Sequence, residues 1–158
     1  MTRNSPAMRR LLILAAFMAS LIVTPCARAT PHREIPRNPL ADAAAHFAAY
    51  SLGTSVQVAK LAVTVGDKTW FYDARGERLY RCDPATARSG GACKRWAVVR
   101  IVALDPWGSD LYGPVWVLLQ RHRDLWLGRM LGHVFSDPGL RGLGIDSRTL
   151  TCLHAQGL

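Results

Sequence analysis

Twenty basic residues include only three lysines, Lys60, Lys68 and Lys94, and no run of Lys and Arg is dense enough to act by itself as a nucleic-acid or membrane footprint. The longest apolar run, Leu11–Val23, has 13 residues interrupted by Ser20. A helix that crosses a bilayer needs about 20, so no transmembrane helix is expected in the processed chain. The five histidines form neither an i, i+4 pair nor a His-x-His, and no CxxC occurs, which argues against a closed metal site. There is no G-x-S-x-G elbow. The run Arg141-Gly142-Leu143-Gly144 looks like a phosphate cradle but has neither a preceding strand nor a long following helix, so it carries little weight, and no cofactor is expected.

What is present at the start is directional. Arg3, Arg9 and Arg10 precede the apolar run, and Ala27-Arg28-Ala29 follows it with a small-x-small cleavage pattern. Residues 1–29 therefore read as a signal peptide, residues 30–37, with Pro31 and Pro36, as an extended lead-in, and 38–158 as the folded domain. Cys26 raises lipidation, although Val23-Thr24-Pro25 is a poor context for it. The implied localisation is periplasmic or extracellular, where cysteines oxidise. Of Cys82, Cys93 and Cys152, the first two flank a ten-residue loop and are the expected disulfide, leaving Cys152 free or intermolecular. With the leader removed the chain keeps a moderate, arginine-rich positive charge.

The expected fold is α+β, mainly antiparallel β: one N-terminal helix packed on a meander-type sheet of about six strands. Asn38 caps a helix begun by Pro39 and stopped at Gly53, with Leu40, Ala44, Phe47 and Ser51 on one face. Gly66-Asp67 joins a hairpin, after which Trp70 and Tyr72 share one face and Thr69 and Phe71 the other. A second turn spans Ala74–Glu77, with Gly76 suited to positive φ. Trp96–Ala103 is largely apolar on both faces, with Arg100 the exception, as befits a covered central strand. Asp105–Gly113 is expected as a loop running on through Pro114, and residues 136–144 as irregular chain. The C-terminus suits either a helix capped by Asp146 or Ser147, or a strand. A faint echo at an offset of 46 sets Trp70 against Trp116 and Arg75 against Arg121.

No catalytic signature stands out, so the chain leans away from an enzyme. The weak catalytic candidates are His122, His133, Asp105 and Asp110; Asp105 and Asp110 bracket Pro106-Trp107-Gly108, an aromatic between acids that equally suits an ordinary polar turn. Aromatics and arginines interleave along the strands, and these residue types carry most interface energy. The binding candidates are Trp107, Tyr112, Trp116, Arg121, Arg123 and Trp126. The functional expectation is an exported binding module that engages a protein partner or an anionic envelope polymer, through an aromatic and arginine-rich sheet face or the 105–113 loop. A small secreted hydrolase with His/Asp acid-base groups and a structural envelope component are the alternatives.

Overall fold

The structure is a computed structural model that describes residues 35–53, 56–82 and 90–158, with Cys82 described by its backbone alone. The expected leader, Cys26 and most of the lead-in fall outside these residues. In chain order the elements are α1 (Pro39–Leu52), β1 (Lys60–Val65), β2 (Lys68–Asp73), β3 (Arg78–Cys82), β4 (Gly90–Cys93), β5 (Trp96–Leu104), β6 (Asp110–His122), β7 (Leu125–Gly132), α2 (Asp137–Gly142) and α3 (Ser147–Ala155). The fold is α+β around one antiparallel sheet of seven strands, ordered β3-β2-β1-β5-β6-β7. The seventh strand, β4, pairs with the first half of β5 while β1 pairs with the second half, so both lie along the same edge of β5.

α1 covers one face of the sheet. Asn38 caps it by accepting from the backbone N–H of Leu40 and Ala41 at 3.0 and 3.3 Å. Its buried stripe is Ala41, Ala44, Ala45, Ala48 and Ala49, and of the residues expected on one face with Ala44, Leu40 and Phe47 are half-buried and pack against the same core, while Ser51 is half-buried. Methyl groups let the helix close on a sheet that supplies the bulk from Leu61, Val63, Trp70, Tyr72, Val99, Ile101 and Val117. Two polar ties fix its angle. The Tyr72 hydroxyl donates to Asp42 Oδ1 at 2.8 Å, and Trp70 Nε1 donates to the Pro36 carbonyl at 3.3 Å. Burial first, and then the Asp42 carboxylate, push the Tyr72 phenol well above its ordinary range, so it acts as a fixed donor.

The opposite face is covered over β5 and β6 by α2 and α3. Leu140, Ile145, Leu150 and Leu153 pack there on Trp96, Val98 and Leu118. Ser136 caps α2 through Gly139 N–H, and Asp146 caps α3 through Thr149 N–H at 2.7 Å. Asp146 is held down to about 2 by that backbone donor first and by the Lys94 ammonium, 3.1 Å away, second. The expected irregular passage 136–144 is thus a capped helical turn, because Ser-Asp-Pro opens a helix as well as a loop. The open choice at the C-terminus resolves as helix.

The expected disulfide pairing is corrected. Cys93 is bonded to Cys152, with Cα atoms 5.9 Å apart and 59 positions of separation. Cys82 pairs with Thr69, whose line continues through Thr64 to Arg100, while Cys93 pairs with Trp96. The two positions therefore differ by two strands and four residues, on the order of 15 Å, beyond the reach of a bridge. The unforeseen strand β4 is the reason. It turns Cys93 into the second core, where α3 delivers Cys152.

Candidate binding surface

Two turns built by the same hydrogen bonds project from one end of the sheet. In the first, Asp73 Oδ1 accepts from Arg75 and Glu77 N–H at 2.9 and 2.8 Å, Gly76 N–H donates to the Asp73 carbonyl, and Asp73 N–H donates to the Glu77 carbonyl. In the second, Asp105 Oδ1 accepts from Trp107 and Ser109 N–H at 2.9 and 2.8 Å, with Gly108 and Ser109 completing the same two backbone bonds. The fourth residue must take positive φ, +83° at Gly76 and +88° at Gly108, which glycine adopts without a Cβ clash. Lys60 faces both Asp73 and Leu104, so the turns leave the sheet at one level on either side of β1, their strands roughly 10 Å apart.

The third position of each turn is presented to solvent. It is Arg75 in one and Trp107, 85% exposed, in the other. A tryptophan is normally among the more buried residues, yet this one stands on backbone tied by four hydrogen bonds. Below it, Tyr112 is 40% exposed on β6. The expected 105–113 loop is therefore shorter than anticipated. The turn ends at Ser109, and Gly113-Pro114 lie inside β6, where irregular pairing with β5 and φ +76° at Gly113 accommodate a proline with no N–H to give.

On the sheet face turned away from α1, at the same end, Lys60, Phe71 and Tyr80 form a half-exposed cluster. Phe71 and Tyr80 stack with centroids 4.7 Å apart. The Lys60 ammonium lies 4.5 Å from the Phe71 ring centre and hydrogen-bonds the Tyr80 hydroxyl at 2.6 Å. Sequence reasoning missed this group. Its signal was the alternation that sets Lys60, Phe71 and Tyr80 on one face of three consecutive strands.

The six binding candidates do not come together. Trp107 and Tyr112 lie at the twin-turn end, while Arg121 and Arg123 lie at the other end of β6, on the order of 40 Å away for a strand of 13 residues. Trp116 and Trp126 are half-buried on opposite faces, Trp126 toward α1 and Trp116 toward α3. Nor do the catalytic histidine candidates meet the aspartates, although Asp105 and Asp110 flank one turn. Asp105 holds its own turn, and Asp110 is exposed at the start of β6. His133 is tied by Nδ1 to the Pro114 carbonyl at 3.2 Å, roughly 13 Å along β6 from Asp110, and His122 ends that strand. Among the described residues no cluster of three or more His, Cys, Asp or Glu side chains could hold a metal ion.

One His–carboxylate pair does form elsewhere. His154 Nε2 lies 3.1 Å from Asp137 Oδ1, and its Nδ1 lies 3.1 Å from the Leu158 carbonyl. The Leu158 carbonyl first, and Asp137 second, raise its pKa. Ser136, beside Asp137, spends its hydroxyl capping α2, so the pair clamps the two C-terminal helices together.

No family model matches the chain, and no curated protein or solved structure matches it significantly. No helix among the described residues is long and apolar enough to cross a membrane.

Proposed function

We propose that the protein is an exported binding module that grips a protein partner through the twin-turn end of its sheet, with Trp107 as the anchor. The observation that carries this reading is the 85% exposure of Trp107 on a turn already fixed by four hydrogen bonds. A rigid, exposed indole loses little conformational freedom on docking, and buried tryptophans are the commonest interface hot spots. Arg75 and Tyr112 supply an adjacent cation and a second amphipathic ring. Export is supported by the leader-like first 29 residues and agrees with the Cys93–Cys152 disulfide. The hydrolase alternative has little support, because His122 and His133 lie away from Asp105 and Asp110. Site-specific photocrosslinking from position 107 in the source cells tests the proposal. A discrete adduct that is absent when the crosslinker sits at Lys68 is expected, and identical adducts from both positions would refute it.

A further inference from the structure

At the far end of β6 the sheet carries a corner of different character. The β4–β5 turn, Lys94-Arg95, and the β6–β7 turn, Arg123-Asp124, lie side by side, joined by a backbone hydrogen bond from Arg121 N–H to the Arg95 carbonyl at 2.6 Å. Lys94, Arg95, Arg121 and Arg123 are exposed there, with Arg121 opposite Trp126 on the α1 face, and Arg129 is exposed four residues past Leu125, roughly 13 Å along β7. Two acids accompany these five cations. Asp124 lies 3.8 Å from Arg121, and Asp146 lies 3.1 Å from Lys94. Lys94 and Arg123 are also the only non-glycine residues with positive φ among the described residues, at 58° and 54°. Gly or Asn would take those conformations more easily, so the cations stand there against local turn preference.

Beside the cations lie two unpartnered leucines. Leu125 and Leu127, 68% and 45% exposed, share one face of the edge strand β7, opposite His122 and Gln120. We infer that this corner docks on an anionic lipid bilayer, with the two leucines entering the headgroup boundary and the turn cations Lys94, Arg95 and Arg123 meeting the phosphates. Charge complementarity and exposed apolar side chains in one place are the two requirements of peripheral membrane binding. No single stretch holds the cations, because they come from two hairpins 29 positions apart at Lys94 and Arg123. The inference is independent of the Trp107 reading and leaves that residue at the opposite end of β6, facing away from the surface.

Flotation of the full chain with phosphatidylcholine vesicles, and with vesicles half phosphatidylglycerol, tests it. Any part played by residues 1–34 is common to every variant compared. The expected result is preferential binding to the anionic vesicles, weakening as salt rises and falling about fivefold for each of Arg95 and Arg123 changed to Gln. Leu125→Ser with Leu127→Ser lowers binding to both vesicle types, and Trp107→Ala changes neither. Circular dichroism checks that each variant is folded. Equal binding by wild type and the Arg→Gln variants overturns the inference. So does binding that ignores both leucines and is fully competed by soluble polyglutamate, which would assign the corner to an acidic chain in place of a bilayer.

Discussion

The Phe47 ring occupies the space in which a side chain at Gly128 would stand. A Cβ there would meet the Phe47 Cβ at 2.6 Å, and that end of the ring cannot swing aside while α1 is seated. Gly128 also sits where β7 slips register against Leu119. Gly128→Ala should therefore cost about 1–3 kcal/mol by overpacking. Phe47→Ala removes the two ring atoms nearest that position and should cost less in the Gly128→Ala background than alone, so thermal melts of the two single variants and the double variant should be non-additive.

Removal of the Cys93–Cys152 bridge should lower stability by about 4 kcal/mol in the chain-entropy model for a loop of this length. Urea unfolding of the Cys93→Ser, Cys152→Ser double variant measures it. Peptide mapping without reduction should find the 93–152 bridge intact in Cys82→Ser, and loss of the bridge in that variant would contradict the assignment.

The C-terminal clamp should respond to pH. His154 is raised, so its contribution is complete below its unfolded value near 6.5 and fades as pH rises through the folded one. Asp146 is depressed to about 2 from an ordinary 3.8, so its contribution is complete above 3.8 and fades as pH falls toward 2. Both groups are exposed, which keeps the effects small. Amide exchange in α2 and α3 should accelerate from pH 5 to 8 after correction for intrinsic rates, and His154→Gln should remove that dependence.

The twin turns give a matched pair of variants. Asp73→Ala and Asp105→Ala each remove an acceptor for two backbone N–H groups, and each should cost about 1–2 kcal/mol. Asn should recover most of the loss in both cases, since its amide oxygen can take the same place. Chemical denaturation of the four variants checks this.

Local signals were legible in the chain and long-range ones were not. Asn38-Pro39 and the glycines at 66 and 76 act within a few residues, and they end up capping a helix and turning hairpins as their chemistry requires. Trp96–Ala103 was readable as a strand covered on both faces because all but Arg100 of its residues are apolar. The pairing of Cys93 depended on β4, four residues with two glycines that carry no strand pattern of their own. The echo at an offset of 46 has no structural counterpart, since Trp70 faces α1 and Trp116 faces α3. The true local repeat is Asp-x-x-Gly at Asp73 and Asp105, whose hydrogen bonds become recognisable only once both are folded. The exposed turn that carries Trp107 was legible because proline, glycine and aspartate surround it; the arginines expected beside it belong to the other end of β6.

The most direct measurement is the affinity of the photocrosslinked partner, once purified, for wild type and for Trp107→Ala. A hot-spot anchor predicts a loss of about 30-fold or more, corresponding to ~2 kcal/mol, with the melting temperature unchanged. Equal affinity for the two proteins would contradict the account.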